Sequence, residues 1–321
     1  MVYAQNETSR TYVKVGAQGD GSSWQSPTSD LKKALSEAYP GQEIWVAAGT
    51  YFPSKTNDRT QSFVIPEGVK LIGGFAGHEI SIDERNIDAN ISILSGEIGT
   101  VGHQDNSYTI LYTKGVSNAT QIDGFTISGA NANLQAKEAS PFSSGGGWYN
   151  QAKGLTSSPV VRNCTFKNNR AFFGAGFYNN AEGGRSDLMI DACTFVGNIA
   201  KFDGGAILNN GSNGSSNISI IYSAFKSNEA YYGAGILNKA EIAGEASPYI
   251  KNVRFEKNLA YMKGSPIYNL RSIEGTSAPT MISCVSIGNQ ESVRTPESSS
   301  IQINSDKKTQ TKRTITISSS F

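Results

Sequence analysis

The chain has 321 residues, 38% of them hydrophobic, which is enough to bury a large core in one elongated domain or two compact ones and excludes a disordered chain. Twenty-eight basic and 27 acidic residues leave a net charge of +1, so the overall balance offers no field for a phosphate backbone or an anionic membrane, and nucleic acid is not an expected partner. Only 17% of residues are charged, Gly numbers 34, and Asn, Ser and Thr abound, a profile of turns and β-structure with no apolar run near the roughly 18–20 residues of a membrane span.

The opening "MVYAQNETSR" lacks a basic n-region and an apolar h-region, yet "VYAQ" at 2–5 reads as the small-residue tail of a secretory signal whose upstream part Met1 replaces, so a secreted or cell-surface location is expected. "GDGSSW" around Asp20 lacks the spaced carboxylates of a calcium loop and reads as a turn. "SDLKKALSEAYPG" at 29–41 has the marks of a helix: an N-cap at Ser29 or Asp30, Leu31, Ala34, Leu35 and Ala38 on one face, and a stop at Pro40-Gly41. That apolar face suits covering the open end of a β-solenoid. "QEIWVAAGTY", "SFVIPEGVKLIGGF", "NISILSG", "TILYT" and "TQIDGFTISG" read as strands of uneven coils, making residues 1–140 a cap followed by irregular turns. His78 and His103 are too isolated for a metal cluster, and no cofactor is expected. "NANLQAKEASPFSSGG" at 131–146 is a loop before the regular array, either mobile or shielding one wall.

From 141 to 291 the chain repeats itself. Asn150, Asn179, Asn209, Asn238 and Asn269 recur at spacings of 29, 30, 29 and 31. A second series, Phe166-x-x-Asn169, Phe195-x-x-Asn198, Phe225-x-x-Asn228 and Phe255-x-x-Asn258, runs in step at 29, 30 and 30, and a fifth copy keeps Asn289 but has Ser286 in place of Phe. Between the two lie strand-length apolar runs such as "LMIDACTF" and "ISIIYSAF", interrupted too often by Gly and Asn for helical repeats. The expected fold is all-β: a single right-handed parallel β-helix in which equivalent residues stack about 4.8 Å apart, with an N-terminal capping helix. Val161, Ile190, Ile220, Ile250 and Met281 form one expected inward column and Phe166, Phe195, Phe225 and Phe255 another. The phrase "FGAGFYNN" at 173–180, paraphrased at 203–210 and 232–239, is then mainly scaffold, with Gly for sharp turns and Asn for stacked amide hydrogen bonds.

The paired Phe-x-x-Asn and Gly-rich "GGAI" motifs, the latter literal at 204–207, resemble the passenger repeats of the polymorphic membrane proteins of chlamydiae and, more broadly, bacterial right-handed parallel β-helix surface proteins. The opening "YVKVGAQGDGSSWQSP…LKKAL…GQEIWVAAGTY" is similar to the start of secreted bacterial β-helix repeat proteins. The other Gly motifs depart from the family, reading "GAGF", "GAGI" and "GSPI". The resemblance implies an exported, non-catalytic module of adhesive or structural use, and no catalytic residue is carried over from it.

Two chemistries compete for the surface. Phe172, Phe173, Phe202, Tyr231, Tyr232 and Tyr261, in the turn before each Gly motif, form either a vertical exposed stripe for glycan rings or surface-protein side chains, or one buried ring per corner. The enzyme reading, a polysaccharide lyase or glycoside hydrolase, draws on Glu182, Asp187, Asp191 and Asp203, and the stack Arg162, Asp191, Ile221, Lys251 makes Arg162 and Asp191 neighbours. Cys164 and Cys193 fall one coil apart and inward, where parallel Cβ vectors favour free thiols over a disulfide, and Cys284 lies three coils beyond Cys193. Residues 292–321 begin polar, carry Lys307, Lys308, Lys312 and Arg313, and end in "TITISSSF". With no second amphipathic helix there, the C-terminal end is expected to be poorly capped and open to head-to-tail association with another copy.

Overall fold

The computed structural model describes residues 9–135 and 138–291 and the backbone of 315–316. Parallel strands stack as a β-solenoid of about nine turns. One coil displays the plan: Val160–Arg162 forms wall one, Thr165–Lys167 wall two, Arg170–Phe173 wall three and Phe177–Asn180 wall four. Stacked, these walls become sheets of ten, eight, six and seven strands. Among the described residues no helix is long and apolar enough to cross a membrane.

Register follows the repeat. Val161, Ile190, Ile220, Ile250 and Met281 pair in succession and are all buried. Phe166, Phe195, Phe225 and Phe255 stack with ring centroids 4.8, 4.9 and 5.0 Å apart, each fully buried. Where the fifth copy substitutes Ser286, this aromatic column stops, opposite Phe255.

Corners are where a parallel coil is most expensive, because the backbone leaves one ladder before it enters the next. Between walls two and three the repeating Asn meets that cost. Asn198 Nδ2 donates to Phe166 O at 2.9 Å in the coil before and to Asn228 Oδ1 at 2.9 Å in the coil after, while Asn228 Oδ1 also accepts the Asn198 backbone N–H at 3.0 Å. The same pattern links Asn169, Asn228, Asn258 and Asn289. A second amide column on wall four runs Asn150, Asn179, Asn209, Asn238, Asn269, with Nδ2–Oδ1 distances of 2.8, 3.2, 3.3 and 2.9 Å. Walls one and two meet at Asn163, Ala192, Tyr222, Asn252 and Ser283, all with φ between 50 and 54°. That left-handed conformation costs a non-glycine residue about 1–2 kcal/mol, which stacking of identical corners must offset.

The Gly phrase has both expected uses. Gly204 turns with φ of 68°, and a Cβ there would lie 2.6 Å from Ile207 O. At Gly176 a Cβ would lie 2.7 Å from Ala206 O of the next coil, so the walls touch there by backbone alone.

At the N-terminal end, α1 (Leu31–Glu37) starts at Asp30, whose side chain accepts from Lys33 N. It buries Leu31, Ala34 and Leu35 against the first strands of walls one and four, Arg10–Val13 and Phe63–Val64, and so covers the core as expected. The segment 131–146 differs from a plain loop. Asn131–Ala132 is the first strand of wall three, and beyond it Phe142 meets Tyr108 at 5.5 Å while Ala139 lies against Tyr149, which shields the outside of wall four. Residues 292–314 and 317–321, which hold the basic run and most of "TITISSSF", lie outside the described residues.

Two substitutions test these columns. Phe225→Ala empties the middle of a continuous ring stack and is expected to lower the free energy of unfolding by about 3–5 kcal/mol in chemical denaturation. Asn209→Ala leaves Asn179 Nδ2 and Asn238 Oδ1 each short of a partner and is expected to cost about 1–3 kcal/mol. An unchanged midpoint in either variant contradicts the assigned register.

Candidate functional site

Wall three carries the aromatic turn. Ala171, Ala200, Ala230 and Ala260 are buried, so the residue that follows each of them faces outward. Phe202, Tyr231 and Tyr261 are 41, 48 and 37% exposed, and Phe172 is half-buried. Their rings form two pairs between adjacent coils, Phe172 with Phe202 at 5.9 Å and Tyr231 with Tyr261 at 5.8 Å. Lys201 Nζ sits 5.2 Å from the Phe172 ring and 5.4 Å from that of Phe202, and the Tyr261 hydroxyl donates to Glu229 Oε2 at 2.8 Å.

Of the two expected arrangements, an exposed six-ring stripe or one buried ring per corner, the register gives neither in full. Strands Ile199–Asp203 and Leu259–Lys263 are five residues long where Arg170–Phe173 and Glu229–Tyr232 are four, and the added residue shifts the register. Phe173 therefore pairs with Asp203, Asp203 with Tyr232, and Tyr232 with Lys263. Phe173 and Tyr232 are half-buried against Tyr149, Tyr178, Leu208 and Leu237 on the outer face of wall four. Four rings face solvent or its margin, and two belong to an external aromatic layer.

That layer is a small core outside the solenoid. Tyr149 and Tyr178 stack at 5.2 Å, and their hydroxyls accept from Asn180 Nδ2 at 2.9 Å and Asn210 Nδ2 at 3.4 Å. Burial pushes the Tyr149 phenol up to about 12 and the Tyr178 phenol above the usual range. Asp203 lies at its edge, in register with the two half-buried rings. Burial pushes its carboxyl up to about 6, Lys239 opposes the rise, and Glu241 adds to it.

The other acids named for catalysis do not join Asp203. Glu182, after wall four, pairs with Lys153 at 3.3 Å, and Asp187, before wall one, pairs with Arg185 at 2.6 Å. Asp191 closes a wall-one strand and meets Arg162 at 3.7 Å, the neighbour expected from the repeat. Each is held by its own cation on its own stretch of surface. Cys164, Cys193 and Cys284 are free thiols. Burial, and then the adjoining Cys193, raises the Cys164 thiol well above its ordinary range, which leaves it a poor nucleophile. Among the described residues no cluster of three His, Cys, Asp or Glu side chains is placed to hold a metal ion.

The sequence did not signal a cleft of about 1010 Å³ between α1 and the segments at 50–58 and 97–99. Its apolar floor includes Val15, Leu31, Tyr51, Phe52 and Ile98, residues too far apart in the chain to read as one surface. Its polar rim is internally satisfied: Lys55 reaches Asp30 at 2.8 Å, and Asp58 accepts from the amide and hydroxyl of Thr60 at 2.9 and 2.6 Å. The Lys55 hydrogen bond holds the Asp30 carboxyl below its usual range, and the Thr60 hydrogen bonds do the same for Asp58. These contacts tie the cap to the first coils and leave no convergent group aimed at a ligand.

Residues 15–217 match the family model described as Protein of unknown function (DUF1565), a match that begins just after the first strand, Arg10–Val13, and runs through the cap and the irregular coils into the regular array. No curated protein and no solved structure matches the chain.

Asp203 sets a pH test. A carboxyl with a raised folded pKa stabilises the fold below its unfolded value near 4, and that contribution is lost as pH rises through about 6. Full burial of a two-unit shift corresponds to nearly 3 kcal/mol, and the partial exposure of Asp203 reduces this to about 1–2 kcal/mol. Denaturant unfolding at pH 4 and pH 7.5 is expected to show the native chain losing that amount relative to Asp203→Asn. Parallel pH profiles for the two proteins contradict the placement of this carboxyl in an apolar edge.

Proposed function

The chain belongs to the DUF1565 family, and we propose that it is a non-catalytic adhesive or structural module that displays aromatic rings from a rigid β-solenoid wall, in a secreted or cell-surface setting. The observation that carries this reading is the pair of exposed ring contacts on successive strands of wall three, Phe172 with Phe202 and Tyr231 with Tyr261. Flat rings fixed on neighbouring strands stack on sugar rings or on apolar side chains with little loss of entropy, because the wall already orders them. Lys201 beside the first pair adds a donor for hydroxyl or carboxylate groups of a glycan. Support for an exported setting comes from the likeness of the repeats to those of bacterial surface proteins.

The test is a glycan and polysaccharide array read for both binding and depolymerisation. Tyr231→Ala combined with Tyr261→Ala is expected to weaken binding by about tenfold while shifting the unfolding free energy by less than about 1 kcal/mol, since both rings are exposed. Tyr232 is left intact because it packs in the external layer. Binding unaffected by the double substitution removes wall three as the contact.

One observation favours the second reading, a carbohydrate-active enzyme: Asp203, with its carboxyl pushed up to about 6 beside an aromatic surface, has the character of a proton donor. Such chemistry needs a second carboxylate roughly 5–10 Å away, and Glu241 is the acid that acts on Asp203 electrostatically. Shortened glycans on the array that disappear with Asp203→Asn establish this reading in place of the first.

A further inference from the structure

The last described coil is less deeply buried than those before it. Among the described residues, wall four has its last strand at Ile267–Arg271, wall two at Val285–Ile287 and wall three at Gln290–Glu291, with no strand paired beyond them. Cys284 and Ser286 are half-buried, whereas their counterparts one or more coils inward, Cys164, Cys193, Phe225 and Phe255, are 0–1% exposed. Wall one is the exception. Its last parallel strand, Thr280–Ile282, is met by Ile315–Thr316, which runs antiparallel, with Met281 opposite Ile315 and Thr280 opposite Thr316.

Directly opposed residues on neighbouring strands lie on one face of a sheet. Ile315 therefore occupies the position that continues the apolar column Val161, Ile190, Ile220, Ile250, Met281 by one level. A strand of reversed direction cannot propagate the coil, which needs every strand of a wall to run the same way.

We propose that this strand is a stop: the chain's own segment around Ile315–Thr316 occupies the C-terminal edge of wall one and keeps a second copy from adding to it head-to-tail. On this proposal the occupant of the wall-one edge, which the sequence suggested would be open to another copy, is intramolecular. The inference is independent of any ligand on wall three.

The test uses the full chain with Ile315→Asp, which places a charge at the core-column position, and Ile315→Val, which keeps the apolar branched side chain. Hydrogen exchange is read at the amides of 280–282, and mass is read by light scattering over a range of concentrations. The native chain and Ile315→Val are expected to be monomeric with protected amides. Ile315→Asp is expected to lose protection at 280–282 by on the order of tenfold or more, with the amides of 220–226 unchanged as the control for folding, and to gain mass with concentration. Equal protection and equal mass in all three proteins overturn the proposal. It is also overturned if the native chain associates and Ile315→Asp makes it monomeric, because the strand then pairs with a second copy.

Discussion

A buried asparagine that reaches both ways along the solenoid axis is the constraint on which the rest of the structure depends. At the corner between walls two and three the backbone N–H of Asn198, between strands, and the carbonyl of Phe166, within wall two, are both paired by side chains of the neighbouring coils. Left unpaired in a dry interior, each such group costs about 1–3 kcal/mol. Asn supplies a donor and an acceptor on a short stem, where Asp has no donor and Gln adds a methylene, so the same residue type recurs at every level. Each amide also fixes its neighbours' register, since a slip of one residue would break its bonds to the coil before and to the coil after.

With register held, like must stack on like. The Phe166–Phe255 column, the aliphatic column of wall one and the wall-four amides all follow from one alignment, and the small variation in repeat length has to be absorbed where no ladder residue sits. Wall three is one such place. The longer strands Ile199–Asp203 and Leu259–Lys263 bulge outward between Ala200 and Gly204 and between Ala260 and Gly264, and the inward Ala column is undisturbed. A surface that tolerates an added residue without touching the core is free to specialise, which makes it the natural seat of a binding function.

The same alternation explains why Asp203 is unusual. An added residue in its strand brings a carboxylate to the level that Phe173 and Tyr232 occupy in the adjoining coils, at the rim of an aromatic layer. Its raised pKa is the electrostatic mark of that displacement, produced by burial more than by any one charge.

The sequence alone settled the solenoid, because its evidence is periodic: two Asn series in step at about 30 residues determine which positions stack, and stacking determines which face inward. The capping helix was legible for a local reason, since Asp30, the Leu31–Leu35 face and Pro40-Gly41 lie within one short segment. Only the tertiary structure decided what depends on contacts across coils. It divided the six rings between the solvent face of wall three and the layer outside wall four through a bulge that composition does not reveal, gathered Val15, Phe52 and Ile98 into one cleft, and brought Ile315 back to Met281 from 34 residues away. A repeat specifies how each coil meets its neighbours, but side-chain direction at an irregular turn, and the closure of an end, are set by packing between segments that share no pattern.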